Sequence, residues 1–133
     1  MSYPELLSPA EKLAGAKERL ALPVIVVLCG STEFMDEFTE MNVQQTAKGR
    51  IVLSVGCNMK QPHPLWADPA DAEELKPRLD ALHKAKIRLA DRVIVVGSRI
   101  GTSTRSEIAY ARELGKPVWF QQPEIDPDAE GES

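Results

Sequence analysis

The sequence is poor in cysteine, and its two cysteines have no metal-binding spacing. Cys29 and Cys57 form no CxxC pair and no Cys/His cluster. Each lies at or just after an apolar run, and two reduced thiols fit a cytoplasmic protein best. The sequence therefore predicts no zinc site, and no motif in it indicates a cofactor.

The sequence also lacks an excess of positive charge and any long apolar run. Its 16 Lys and Arg residues are outnumbered by 20 Asp and Glu residues, which gives a formal net charge of -4. Nucleic acid is not an expected partner, because a surface that binds it needs clustered basic residues. No apolar run approaches the length of a membrane span, and residues 1–20 alternate charged and apolar groups instead of forming a signal peptide. The expected partner is therefore a small molecule, and no association with a membrane is expected.

Four apolar segments alternate with helical patterns along the chain. They are residues 24–28, 51–55, 93–96 and 116–120. Their order predicts an α/β fold with one domain, a doubly wound parallel sheet of four to five strands of the Rossmann or flavodoxin type. A Walker loop and a dinucleotide fingerprint are absent, so this fold alone indicates no function.

The same pattern divides the chain into three parts. Residues 1–22 form an N-terminal helical extension, residues 23–120 form the core domain, and the acidic tail of residues 121–133 is expected to be disordered. The longest helical pattern begins at Asp68, and Pro77 is expected to interrupt or restart it.

A loop rich in Gly, Ser and Thr follows the third strand and leads into a helix that contains Glu107. Free backbone N–H groups and the helix dipole favour anions and polar ligands at such a junction, where parallel sheets bind their ligands. Glu107 is therefore the candidate reactive group. Its alternative role is structural, because Thr104-Arg105-Ser106-Glu107 has the capping-box pattern, and spacing alone favours that role.

Two polar strand ends that contain glycine are expected to face one crevice. They are Gly30-Ser31 after the first strand and Gly101-Thr102-Ser103 after the third. Both also have a simpler interpretation, since Ser and Thr satisfy helix-end donors and Gly supplies turn conformations. Asp91, which begins the third strand, is expected to accept hydrogen bonds from nearby loops. The predicted substrate-binding residues are Cys29, Gly30, Ser31, Asp91, Ser98, Gly101, Thr102, Ser103 and Trp66.

His83 lies on the helix before the third strand. It follows Asp80 by three residues, so the two side chains share a helix face and are placed to form a hydrogen bond. The favoured interpretation is a partly exposed imidazole beside Lys84 and Lys86. If the ring instead points over the carboxyl edge of the sheet, it is a candidate to protonate a leaving base, because histidine titrates near neutral pH.

Residues 56–70 form a loop without periodicity, which is a candidate lid over the crevice. His63 and Trp66 are placed to stack on an aromatic ligand, although packing within the loop is the default interpretation. The loop around Trp66 is expected to decide which base is recognised.

Several segments together resemble one family of enzymes. These segments are Cys29-Gly30-Ser31, Leu89-Ala90-Asp91, the Gly/Ser loop before Glu107, Ala109-Tyr110-Ala111 and Gly115-Lys116-Pro117-Val118. The chain resembles the nucleoside 2-deoxyribosyltransferase superfamily, which includes deoxynucleoside 5'-monophosphate N-glycosidases and CMP hydrolases. The resemblance spans residues 24–120.

The resemblance implies that residues 23–120 are a nucleoside 2-deoxyribosyltransferase-like domain with Glu107 as its nucleophile. The carboxylate would attack the anomeric carbon, expel the base and form a glycosyl-enzyme ester that water or a second base resolves. The family's second carboxylate falls at His83, so His83, or Asp80 one turn earlier, would transfer the proton. The resemblance also implies a homodimer or a larger homo-oligomer in which a neighbour completes the site.

The chain departs from the family pattern in two loops. Gly101 and Ser103 stand where the family usually has Ser or Asp and then Gly, so the contacts to phosphate or hydroxyl groups are expected to be rearranged. After Gly30-Ser31, relatives specific for monophosphates carry a basic residue, whereas Thr32-Glu33 follows here. A carboxylate near a phosphate is unfavourable, so the sequence does not favour a 5'-monophosphate over a nucleoside.

Two other functions are compatible with these residues. One is a non-catalytic module that binds or senses a nucleotide in the same crevice. The other is the activity of the lysine-decarboxylase-like, cytokinin-activating phosphoribohydrolases, which share a Gly-Thr and Glu loop. Their glutamate follows the threonine by three residues, whereas Thr102 precedes Glu107 by five here, so this alternative is the weaker one.

Overall fold

Four parallel strands form the centre of the protein in the computed structural model, which describes residues 6–128. The strands are β1 (Ile25–Cys29), β2 (Ile51–Leu53), β3 (Arg92–Val95) and β4 (Val118–Phe120). They form one sheet in the order β2-β1-β3-β4, and every neighbouring pair is parallel. The predicted α/β fold with a parallel, flavodoxin-like sheet is confirmed.

Four α-helices connect and flank these strands. They are α1 (Pro9–Arg19), α2 (Met35–Ala47), α3 (Pro69–Leu89) and α4 (Thr102–Glu113). Helix α1 begins with a capping box, in which the Ser8 hydroxyl accepts from the Glu11 N–H and the Glu11 carboxylate accepts from the Ser8 N–H. Among residues 6–128, no helix is both long and apolar enough to cross a membrane.

The core has two halves because successive residues of a strand point to opposite faces of the sheet. On one face, Cys29 and its neighbours on alternate positions pack with Ile87 of α3 and Ile108 of α4. On the other face, Leu28 and its set pack with Phe38 of α2. All five residues of β1 are buried, since helices cover both sides of this strand. The Cys29 side chain therefore faces α3 and α4.

The order of the strands reverses between β1 and β3, so the chain leaves these two strands in different directions. Such a switch point opens a crevice at the carboxyl ends of the strands. Gly30 and Gly97 make the turns there, with φ of +150° and +93°. A Cβ on Gly30 would lie 2.7 Å from the Val96 carbonyl oxygen, and one on Gly97 would lie 2.4 Å from the Phe34 ring. Only glycine fits this close approach of the two strand ends.

Helix α3 runs without interruption through Pro77, so the expected break or restart there is wrong. Pro77 is exposed, and its ring faces solvent, where no neighbouring element is displaced. The helix begins with Pro69 at its first position, where proline is well tolerated, and the Asp68 side chain accepts from the Ala70 N–H at 2.8 Å.

Residues 121–128 pack on the domain, so the expected disorder is wrong for this part of the tail. The Gln121 N–H donates to the Val95 carbonyl at 2.8 Å, which extends the sheet pairing beyond β4. Arg112 of α4 binds the Asp126 carboxylate at 2.9 Å, and Ile125 contacts the core. Residues 129–133, and residues 1–5 of the N-terminal extension, lie outside the described part of the chain.

Candidate active site

A pocket of about 520 Å³ opens at the carboxyl edge of the sheet, at the switch point. Its walls come from the loops after β1 and β2, from residues 76–86 in the middle of α3 and from the start of α4. Eight of the predicted site residues line it: Gly30, Ser31, Asp80, His83, Gly101, Thr102, Ser103 and Glu107. The volume suits a small-molecule ligand.

Glu107 is not a helix cap. Helix α4 begins at Thr102 with Gly101 as its N-cap, and this N-cap makes no side-chain hydrogen bond. Thr104 is already the third residue of the helix, so the capping-box interpretation of Thr104 and Glu107 is wrong. Glu107 lies in the second turn, and its side chain, which is 14% exposed, lines the pocket.

His83 lies between Cys29 and Glu107. Its Nε2 atom is 3.2 Å from the Cys29 Sγ atom and 3.7 Å from Oε1 of Glu107. The favoured interpretation of an exposed imidazole is wrong, because His83 is 7% exposed. The reason is its spacing of four residues from Ile87, which puts both side chains on the face of α3 that packs against the sheet.

Burial sets the protonation of this cluster. It raises the pKa of Glu107 to about 7, and the nearby charge of Asp80 acts in the same direction. It lowers the pKa of His83 to about 4, with a further contribution from Lys86. It also raises the pKa of the Cys29 thiol well above its usual value. At neutral pH the contact between His83 and Glu107 is therefore one of a neutral imidazole with a carboxyl group, and not an ion pair.

Asp80 is the second carboxyl group of the pocket. It lines the wall one turn before His83, but the two make no hydrogen bond within the described residues. Its Oδ2 atom instead lies 3.7 Å from Nζ of Lys76, one turn earlier on α3, and its side chain is 51% exposed. Asp80 is thus open to a ligand, whereas His83 is enclosed.

Lys60 is a site residue that sequence reasoning missed. It comes from the loop after β2, and its Nζ atom donates to the Ser31 hydroxyl at 2.9 Å. The sequence indicates that the Glu33 carboxylate would repel a bound phosphate. In the structure this carboxylate forms an ion pair with Arg99. A basic group thus lies beside Ser31, and it comes from the loop after β2. The sequence signal that points to Lys60 is its place in the loop that follows the carboxyl end of a strand.

Four predicted substrate-binding residues do not line the pocket. Asp91 lies at the opposite edge of the sheet, because it precedes β3, and it accepts from the Ile25 N–H at 2.8 Å and from Lys17 at 3.2 Å. Ser98 is exposed outside the pocket. Trp66 stacks on His63 within its own loop, with ring centroids 4.6 Å apart. Cys29 lies behind His83, which separates it from the cavity.

Comparisons with protein-family models, with curated protein sequences and with solved structures gave no match. The family resemblance therefore stays a prediction from the sequence motifs. The function has to be argued from the chemistry of the pocket.

Proposed function

We propose that the protein cleaves or transfers the N-glycosidic bond of a nucleoside or nucleotide through a covalent intermediate on Glu107. The observation that carries the proposal is a largely buried carboxyl group in a pocket of nucleoside size at the switch point of the sheet. Two carboxyl groups in one site, Glu107 and Asp80, are the usual equipment of retaining glycosidases. The Glu107 side chain is 14% exposed and that of Asp80 is 51% exposed, so Asp80 is the one that can exchange protons with solvent.

In the proposed reaction, ionised Glu107 attacks the anomeric carbon. A C–O bond forms, the C–N bond to the base breaks, and its electron pair goes to the base nitrogen, which takes a proton from a solvent water that the exposed Asp80 carboxylate orients. Water or a second base then attacks the same carbon and loses its proton to the Asp80 carboxylate, which passes it to solvent, and the C–O bond to Glu107 breaks. His83 is a positioning residue here, because an imidazole with a pKa of about 4 carries no proton to donate at neutral pH.

The polar end of the pocket is proposed to hold the sugar hydroxyl or phosphate groups. Ser31 and Lys60 offer a hydroxyl and an ammonium group there. Thr102 and Ser103 stand in the first turn of α4, where backbone N–H groups are free and the helix dipole favours negative charge. These groups act on the substrate outside the reacting bond, so they govern the KM more than the chemical step.

The test measures free base released from a panel of ribo- and deoxyribonucleosides and their 5'-monophosphates. Glu107→Ala and Glu107→Gln should abolish release, with a loss of at least about 10³-fold in kcat. Glu113→Gln is the matched control, because Glu113 is an exposed glutamate of the same helix. Release that survives both Glu107 substitutions would exclude this residue as the nucleophile.

A non-catalytic nucleotide-binding module is the second candidate function. It is favoured by His83, a neutral imidazole at the position where the resembling family has its second carboxylate. In that case every member of the panel would remain intact, while nucleotides would still raise the melting temperature of the protein.

A homodimer in the cytoplasm belongs to the same proposal. Leu82 of α3 lines the pocket and is 49% exposed, so a second copy seated on this part of α3 would add a wall to the site. Both cysteines are free thiols, which suits a reducing compartment. Light scattering in solution distinguishes a dimer from a monomer.

A further inference from the structure

Three potential metal ligands from three different elements converge at the base of the pocket. They are Cys29 at the end of β1, His83 on α3 and Glu107 on α4, and their ligand atoms all lie within 4.8 Å of one another. We propose that this cluster binds one Zn²⁺ ion through the Cys29 sulfur, the His83 Nε2 atom and a Glu107 carboxylate oxygen. This site shares Glu107 with the proposed glycosidic reaction, but metal binding does not require that reaction.

The distances between the ligand atoms fit a tetrahedral ion. Zinc bonds of about 2.3 Å to sulfur and 2.0–2.2 Å to nitrogen or oxygen put neighbouring ligand atoms about 3.3–3.6 Å apart. The separation from Cys29 Sγ to His83 Nε2 is 3.2 Å, and that from His83 Nε2 to Glu107 Oε1 is 3.7 Å. These two separations need shifts of a few tenths of an ångström, and the Cys29 Sγ and Glu107 oxygen atoms, which lie within 4.8 Å of each other, close by side-chain rotation.

The cluster also has the charge and the access that zinc requires. A thiolate and a carboxylate balance the two positive charges of the ion, and the protons of the Cys29 thiol and the Glu107 carboxyl group leave to solvent when the metal binds. His83 and Glu107 line the open pocket, whereas Cys29 lies behind them. An ion can therefore enter from the pocket and keep its fourth position toward the cavity. Three protein ligands with one open position are typical of zinc sites that bind water or a small ligand.

The ligands are far apart in sequence, which explains why their spacing gives no zinc motif. Cys29 precedes His83 by 54 residues, and only the parallel pairing of β1 with β3 and the crossover helices bring them together. A zinc-bound Glu107 oxygen is not free to attack a sugar. Zn²⁺ and a substrate carbon would thus compete for Glu107.

The experiment titrates the full-length, reduced protein with Co²⁺, a spectroscopic substitute for zinc, and then displaces it with Zn²⁺. We expect one metal ion per chain, intense visible bands of tetrahedral Co²⁺ and a thiolate-to-cobalt charge-transfer band. Cys29→Ser should remove the charge-transfer band and weaken Zn²⁺ binding by more than about tenfold, because a ligand matters at least as much as the groups that orient it. Cys57→Ser is the matched control and should retain the band, although Cys57 also lines the pocket.

Glu107→Gln provides a second variant at the pocket wall, in case serine at the buried Cys29 position impairs folding. It should keep the thiolate band and weaken Zn²⁺ binding by more than about tenfold. The proposal is overturned if the wild type binds no metal, or if the charge-transfer band persists in Cys29→Ser. Circular dichroism of each variant verifies the fold, and no substrate is needed for any of these measurements.

Discussion

Glu107 combines burial, a like-charged neighbour and an open pocket, and together these determine when it can act. Desolvation raises its pKa to about 7, and the charge of Asp80 adds to this effect. An attacking carboxylate must be ionised. A carboxyl group with this pKa is largely protonated in mildly acidic solution and becomes a nucleophile as the pH rises.

We predict that kcat/KM for base release rises with pH and has its acidic midpoint near 7, because the free enzyme must lose the Glu107 proton. Asp80→Asn should move this midpoint to lower pH, because the substitution removes a nearby negative charge. Rates measured from pH 5 to 9 test both statements, and the residual rate of Asp80→Asn suffices for its midpoint. A midpoint that stays in place in Asp80→Asn would contradict the coupling.

A second prediction concerns stability, since Glu107 and His83 have opposite effects. The pKa of Glu107 rises from 4.5 to about 7 on folding. The contribution of this group to the free energy of unfolding is therefore fully present below pH 4.5 and is lost as the pH rises to 7. The pKa of His83 falls from 6.5 to about 4 on folding. The contribution of the imidazole to the free energy of unfolding is therefore fully present above pH 6.5 and is lost as the pH falls to 4. Each effect amounts to about 3 kcal/mol, and the two cancel between pH 4.5 and 6.5.

Between pH 4.5 and 6.5, the free energy of unfolding of Glu107→Gln should therefore increase with pH relative to that of the wild type. That of His83→Gln should decrease with pH. Urea unfolding at pH 4.5, 5.5 and 6.5 measures the difference. The comparison between variants removes the contribution of all other carboxylates, which the three proteins share. Parallel profiles for all three proteins would show that the two residues keep their ordinary pKa values.

At the scale of the element, α3 carries a feature that costs stability. Pro77 lies in the interior of the helix, where proline removes one N–H donor and is less favourable than alanine by about 3 kcal/mol. We predict that Pro77→Ala stabilises the protein by about 2 kcal/mol, after about 1 kcal/mol is subtracted for the restriction that proline places on the unfolded chain. Denaturant unfolding at constant pH measures this gain.

Pro69→Ala is the matched control, because Pro69 occupies the first position of the same helix, where no N–H donor is lost. It should change stability by less than about 1 kcal/mol. A loss of stability in Pro77→Ala would mean that the packing of α3 depends on a bend at Pro77.

In the whole molecule, the two ends of the parallel strands have different roles. The carboxyl edge holds the pocket, and the opposite edge holds Asp91, which links β1 and α1 through Ile25 and Lys17. Burial alone would raise the pKa of Asp91, but the hydrogen bond from the Ile25 N–H and the Lys17 ammonium lower it on balance. This stabilising contribution is present above the ordinary pKa and is lost as the pH falls below it.

We predict that Asp91→Ala lowers stability by about 1–2 kcal/mol, because it removes an ion pair and leaves the Ile25 N–H without its acceptor. The kcat and KM for base release should stay unchanged, since Asp91 lies at the far edge. Urea unfolding and steady-state kinetics on the same preparation test the two parts. A raised KM with unaltered stability would contradict this prediction and would indicate that Asp91 contacts the substrate.

Local patterns in the sequence suffice for the elements and for much of the pocket. The β-branched run of residues 93–96 predicts a buried strand because only a strand covered on both faces tolerates it. Gly30-Ser31 and Gly101-Ser103 line the same pocket, as expected, since the carboxyl ends of parallel strands lie at one edge of the sheet. The N-cap of helix α4 is nevertheless Gly101 and not Thr104, the N-cap in the capping-box pattern, because terminal residues of a helix carry weak signals.

The sequence by itself determined the α/β class, the parallel sheet and Glu107 as the group to examine, because these follow from periodicity and from turn residues within short windows. Only the tertiary structure decided that His83 is buried against Cys29 and Glu107, that Lys60 reaches Ser31 and that Asp91 lies on the opposite edge. The physical reason is that strand order and helix packing join residues more than 20 positions apart. No local pattern specifies such contacts, and burial, which sets the chemistry of this cluster, arises only from them.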